Sequence, residues 1–280
     1  MSPELRLRII SAIVLAAVVL AATWLGGLAF SLLAALISIL IFYEWATITG
    51  QSRKSRLTAF GYASVVIVAV EYIFRGAGSG YFSSLVLLLG FTIAAIVIGA
   101  IRGKGYWLAG GIFYAGLSGI SLTALRGGDR EGLITMLFIF AIVWATDIFA
   151  YFTGRAIGGP KLAPPISPGK TWSGAIGGTI AGVICGMLVI YLAGESVGLG
   201  LVIVTAVLSI GSQIGDLFES WIKRRFGAKD SSRLIPGHGG VMDRVDGLVF
   251  ACFLAFLGGL AMAAASGRLI TDASSMISGG

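Results

Sequence analysis

What most constrains this chain of 280 residues is a near-unbroken succession of apolar runs, each about 20 residues long. Wound as a helix at roughly 1.5 Å per residue, such a run crosses most or all of about 30 Å of hydrocarbon. Suitable runs lie near 9 to 25, 28 to 49, 57 to 74, 81 to 101, 105 to 125, 131 to 153, 172 to 194, 197 to 219 and 245 to 266. Hydrophobic residues make up 57% of the chain and charged residues 12%, with a mean hydropathy of +0.95, far from the usual composition of a soluble domain. The expected fold class is an all-α polytopic membrane protein of about nine transmembrane helices.

Charge placement gives this outline an orientation. The weakest boundary is the first, where only Gly26 and Gly27 interrupt the apolar run: a tight hairpin there keeps nine helices, and one fused helix makes eight. With nine, 16 of the 20 Lys and Arg fall on the side of the N-terminus, leaving Arg75, Arg126, Arg130 and Arg268 on the other. Positive charge gathers on the cytoplasmic side of membrane proteins, so the N-terminus and both long basic loops, 154 to 171 and 220 to 244, are expected in the cytoplasm. Fusing the first two helices would move only Arg6 and Arg8, so the count favours nine. The opening run outlasts the apolar region of a secretory signal and reads as an uncleaved first span.

The isoelectric point near 9.6 does not indicate nucleic-acid binding, because no soluble basic domain exists to carry it; the cations suit topology and the anionic lipid bilayer. Cys185 and Cys252 lie inside apolar runs with no partner at ligand spacing, so neither a disulfide framework nor a zinc site is expected.

Against this apolar background the segment from Ser212 to Asp246 stands apart. Lys223, Arg224, Arg225, Lys229, Arg233 and Arg244 crowd there with Asp216, Glu219, Asp230, Asp243, Asp246 and the chain's one histidine, His238. Asp243 and Asp246, three apart, share one face of a helix. Carboxylates that can hold a divalent cation, beside cations and amides that can hold phosphates, are the parts of a phosphoryl or nucleotidyl transfer site.

The string SWIKRRFGAKDSSRLIPGHGGVMDRVD, residues 220 to 246, resembles the signature of the phosphatidate cytidylyltransferases, or CDP-diacylglycerol synthases. Ser220, Lys223, Arg224, Lys229, Asp230, Ile235, Pro236, His238, Gly239, Gly240, Asp243, Arg244 and Asp246 all fall in the pattern, which makes the match highly specific. An upstream motif of the same family is matched by Asp147, Ala150, Tyr151, Gly154, Arg155, Ser167, Pro168, Lys170, Thr171 and Gly174; Ser173 departs from it, standing where the family usually has an acid. Prolines at 160, 164, 165 and 168 forbid regular helix between the two halves of that motif, predicting an ordered or semi-extended loop. Lys170 and Thr171 then sit just before a helix N-terminus, where free amides and the dipole favour anions.

The resemblance implies that CTP and phosphatidate are joined to CDP-diacylglycerol with release of pyrophosphate. It implies one integral membrane domain over residues 1–280, with N-terminal helices in 1–125 and catalytic helices and loops in 126–280. Asp147, Asp216, Asp243 and Asp246 would hold Mg²⁺, alone or with a second cation. Lys223, Arg224, Lys229, Asp230, His238 and Arg244 would be the catalytic set, the cations neutralising phosphate charge and His238 positioning the nucleotide. Tyr151, Arg155, Ser167, Lys170, Thr171, Ser220, Gly239 and Gly240 would bind substrate.

Gly174, Gly178, Gly182 and Gly186 form a small-residue stripe that admits a neighbouring helix, either of this chain or of a second copy in a homodimer. Glu44, near the cytoplasmic end of the second helix, reads as an outer-shell or packing group, and Glu219 as a loop-edge partner for a cation. A secondary transporter is the competing reading; it would place polar groups near the bilayer midplane rather than at one face. The D-G-x-x-A-R pattern of the CDP-alcohol phosphotransferases is absent.

Overall fold

The computed structural model describes residues 3–52, 54–75, 81–102, 106–235, 237 and 239–265. Nine helices occur among them: α1 Pro3–Leu25, α2 Gly27–Ile48, α3 Arg56–Arg75, α4 Phe82–Arg102, α5 Trp107–Arg126, α6 Arg130–Ile157, α7 Trp172–Leu192, α8 Leu199–Arg225 and α9 Met242–Ala265. The helices α2 to α9 are long and apolar enough to cross a membrane, and α1 contributes a shorter apolar stretch, Ile9–Leu25. The chain is thus an all-α multi-pass membrane protein with one small hairpin, β1 Lys161–Ala163 paired antiparallel with β2 Ser167–Thr171.

The break between α1 and α2 is built from both sides. Gly26 and Gly27 take φ of 61° and 47°, a backbone region that glycine enters without steric cost. Arg126, at the end of α5, is buried against this corner: its Nε donates to Thr23 O at 2.5 Å and its Nη1 to Asp129 O at 3.0 Å.

Two packing units meet along α5, which is buried nearly all round. On one side α2, α3 and α4 close over it through Phe42, Trp45, Tyr72 and Leu88. On the other stands α9, itself packed on α8. The tightest pair is α6 with α7, and it shows what the glycine stripe does: Gly178 sits so close to α6 that a Cβ there would lie 2.6 Å from Thr146 O. The stripe therefore meets a helix of its own chain. Two residues along from each of the first three glycines, Ile176, Ile180 and Ile184 point outward as an exposed apolar ridge.

Helix ends run further than hydropathy marks them. Lys223, Arg224 and Arg225 stay helical because cations favour the negative end of a helix, and α8 closes on Gly227 at φ 69° with Gly227 N bonded to Arg224 O and Ala228 N to Lys223 O. The connection to α9 shortens accordingly to residues 226–241. Likewise α6 continues past residue 153 to Ile157, and the segment expected as a loop turns back as the β1–β2 hairpin, with the two prolines 164 and 165 at its tip.

Candidate active site at the junction of two polar motifs

The C-terminal ends of α2, α6 and α8 and the N-terminal ends of α7 and α9 come together at one end of the bundle. A cavity of about 570 Å³ opens there between α6, the hairpin, α7 and α8, and Asp147, Tyr151, Arg155, Ser167, Lys170, Thr171, Gln213 and Asp216 line it. Tyr151 and Arg155 are one turn apart and share a hydrogen bond of 2.9 Å. Thr171 caps α7, its Oγ1 accepting from Gly174 N, so the positive end of that helix faces the cavity. Ser173 donates to Gly158 O, which pins the hairpin's entry to α7 where the resemblance would have put an acid.

One contact joins the two motifs. Lys170 Nζ lies 2.5 Å from Asp216 Oδ2, so the hairpin's lysine reaches the first carboxylate of the downstream segment. Asp216 Oδ1 accepts from Ser220 Oγ at 3.3 Å, and Arg224 Nε reaches toward Ile166 O at 3.5 Å from the same side.

Behind this contact the acids form a row. Asp147, exposed into the cavity, lies within electrostatic range of Asp216, Asp246 and Lys170. Asp246 in turn faces Asp216 and the side chain of Glu219. Glu219 is fully buried, and neither of its oxygens accepts a hydrogen bond; Lys223 Nζ is 3.4 Å away. The same ammonium lies 2.6 Å from Asp243 Oδ1.

Asp243 is placed differently from the other three. Its Oδ2 accepts from Ser231 N, Ser231 Oγ and Gly240 N at 3.0, 2.8 and 2.8 Å, which fills that oxygen. Only Oδ1, beside Lys223, keeps acceptor capacity. Gly239 takes φ +84° and bridges to Ile235, and a Cβ on Gly239 would crowd Asp243 while one on Gly240 would crowd Ser231 and Glu44. Lys229, Asp230 and Arg244 lie at the exposed surface of this region. His238 and Pro236 fall outside the described residues.

Among the described residues, no three acidic, histidine or cysteine side chains are gathered as a ready metal cage. The donor chemistry nonetheless fits a hard cation: carboxylates outnumber the ammonium groups facing them, and both oxygens of buried Glu219 lack a donor.

Residues 6–260 match the family described as Cytidylyltransferase family. The chain belongs to that family. A protein of Brucella abortus (strain 2308) named phosphatidate cytidylyltransferase is 49% identical over 261 residues, covering 91% of this chain and 93% of its own. The Haemophilus influenzae protein of the same name is 34% identical over 275 residues, covering 88% and 96%. That of Staphylococcus aureus (strain COL) is 46% identical over 121 residues, 43% of this chain and 46% of its own.

Within this cytidylyltransferase, three site neighbours escaped the motif reading. Gln213 lines the cavity and donates to Thr179 Oγ1 at 3.0 Å; Ser231 is buried between Asp243 and Glu44; and Glu44 comes from α2, far away in sequence. Only Glu44 carried a signal, a carboxylate inside an apolar helix.

Proposed function

We propose that this protein is a phosphatidate cytidylyltransferase that joins CTP and phosphatidate to CDP-diacylglycerol and pyrophosphate. A phosphate oxygen of phosphatidate attacks the α-phosphorus of CTP, the bond from the α-phosphorus to the bridging oxygen breaks, and pyrophosphate leaves with that electron pair. The observation that carries this reading is the 2.5 Å contact of Lys170 with Asp216, which unites an anion-suited helix terminus with the acid row at one cavity.

The second pKa of a phosphate monoester is about 6, so phosphatidate at neutral pH is already an oxyanion and needs no base to activate it. The harder task is holding two polyanions together. Lys170, Arg155 and the start of α7 face one side of the cavity, and Lys223, Arg224, Lys229 and Arg244 stand along the acid row and loop; these cations offset phosphate and leaving-group charge. Asp216, Asp246 and Oδ1 of Asp243, with Asp147 beside them, would hold Mg²⁺, which when bound neutralises triphosphate charge and stabilises the departing pyrophosphate. His238 is assigned to nucleotide positioning.

Pyrophosphate release by the purified protein tests the reading. It is expected with CTP plus phosphatidate and Mg²⁺, and not with diacylglycerol in place of phosphatidate or with excess EDTA. Release that ignores the lipid acceptor would contradict it.

The N-terminus and the site are assigned to the cytoplasm, which the distribution of Lys and Arg supports. In a variant lacking Cys185 and Cys252, cysteines at the exposed positions Ser52 and Lys229 are expected to react with a membrane-impermeant thiol reagent from the cytoplasm, and one at Gly128 from outside. Labelling of Ser52 and Lys229 from opposite sides would overturn the topology. Ser231 is unsuitable for such a probe, being only 2% exposed.

A further inference from the structure

Glu44 is fully buried, and its carboxylate is surrounded by donors from a segment nearly 200 residues away in sequence. Oε1 accepts from Ser232 Oγ at 2.6 Å and from Val241 N at 2.8 Å; Oε2 accepts from Met242 N at 2.6 Å and lies 3.1 Å from Ser231 Oγ. These groups come from two parts of the segment between α8 and α9, one pair within the connection just after Asp230 and the other at its junction with α9. A single side chain of α2 therefore closes that connection into a ring.

The chemistry of the ring is specific. The amides of Val241 and Met242 are among those that an α-helix start leaves without intrahelical partners, and that of Gly240 lies just before them. Gly240 N goes to Asp243, and Val241 N and Met242 N go to Glu44, so the two carboxylates divide the amides at the start of α9 between them. Ser231 Oγ stands between the same two carboxylates with one proton to give, and its shorter contact, 2.8 Å, is to Asp243. Gly240 is what lets Glu44 in: a Cβ there would lie 2.5 Å from Oε1.

We propose that Glu44 is a positioning residue for nucleotidyl transfer, holding the start of α9 so that Asp243 and Asp246 face Lys223 and Asp216. The proposal rests on the cytidylyltransferase reading above, and it assigns to the N-terminal helices a part in a site otherwise built from residues after Asp147. Glutamine has the same shape as glutamate but replaces one acceptor oxygen with an NH₂ group. In either orientation that NH₂ meets a backbone N–H, of Val241 or of Met242, and one side of the ring opens.

Two readouts on the full-length protein test this. Hydrogen exchange of peptides spanning 231–235 and 240–246 is expected to quicken at least tenfold in Glu44→Gln, while peptides from α5 and α6 keep their wild-type rates. In the transfer assay, kcat is expected to fall about 10- to 100-fold with a rise in the Mg²⁺ needed for half-maximal rate, the KM for phosphatidate being unchanged. Ser232→Ala, which removes one donor and leaves α2 intact, is expected to reproduce both effects in smaller measure, and it decides the matter if Glu44→Gln does not fold. Unchanged exchange and kcat in these variants would overturn the proposal, as would exchange that quickens equally in every helix. An inactive wild type would instead contradict the enzymatic reading, and the exchange comparison would still decide whether Glu44 holds the loop.

Discussion

Asp216→Asn is expected to lower transfer by about 10³-fold, the loss that corresponds to several kcal/mol of charge stabilisation in a transition state. Asp216 stands where the two motifs touch, with Lys170 on one oxygen and Ser220 on the other, and within range of Asp147 and Asp246. Asparagine keeps its shape and removes its charge. The Lys170 and Asp216 side chains are 27% and 33% exposed, so the pair itself contributes no more than about 1 kcal/mol to folding, and the variant is expected to melt close to wild type. A Mg²⁺ titration separates the two roles open to this residue. If it holds the cation, the variant stays inactive as Mg²⁺ is raised or regains turnover only at much higher concentration, whereas Lys170→Gln keeps the wild-type Mg²⁺ dependence. If Asp216→Asn keeps a tenth or more of wild-type turnover, or if both variants lose activity equally with no change in Mg²⁺ dependence, Asp216 does no more than anchor Lys170.

Lys223→Met is expected to affect the fold as well as the reaction. The Lys223 side chain is only 13% exposed and faces two carboxylates, Asp243 at 2.6 Å and fully buried Glu219 at 3.4 Å. Removing one partner of a buried ion pair leaves the other charge uncompensated, at a cost of about 3–5 kcal/mol. The charge left stranded is that of Asp243, whose Oδ1 faces the lost ammonium. The double variant Lys223→Met with Asp243→Asn relieves that strain by neutralising the stranded group, so most of the lost stability returns while turnover does not. Thermal unfolding in detergent reads the first effect and the transfer assay the second. A single variant as stable as wild type would contradict the role in the fold, and a double variant that regains activity would contradict the role in the reaction.

The coarse fold was legible because a run that is both apolar and about 20 residues long satisfies the two requirements of a membrane-crossing helix at once. Each of the nine apolar runs became a helix, and the Gly26–Gly27 pair marked a true break since no other residue enters that backbone region so readily. The ends were less legible. Lys223 to Arg225 look like loop by hydropathy, yet the helix ends where its carbonyls find the Gly227 closure, and charge at that end favours helix. The β1–β2 hairpin was hidden for a related reason: its strands are three and five residues long, and proline and glycine interrupt any alternation of apolar side chains. Asp147, Asp216, Asp243 and Asp246 could be grouped by motif, and the structure brings the first, second and fourth within electrostatic range of one another while Asp243 turns to the loop. For Glu44 the choice between an outer-shell and a packing group stayed open, because its strongest donors include backbone amides, which leave no trace in side-chain spacing.

The fate of the phosphates in CTP decides whether this protein transfers a cytidylyl group to phosphatidate. The protein is purified in mixed micelles containing phosphatidate and Mg²⁺ and supplied in parallel with CTP labelled at the α-phosphate or at the γ-phosphate. The α label is expected to enter the lipid as CDP-diacylglycerol and the γ label to leave as pyrophosphate in equal molar amount, with neither product formed when phosphatidate is omitted. Transfer of the γ label to lipid, its release as inorganic phosphate, or turnover with no labelled lipid at all would contradict it.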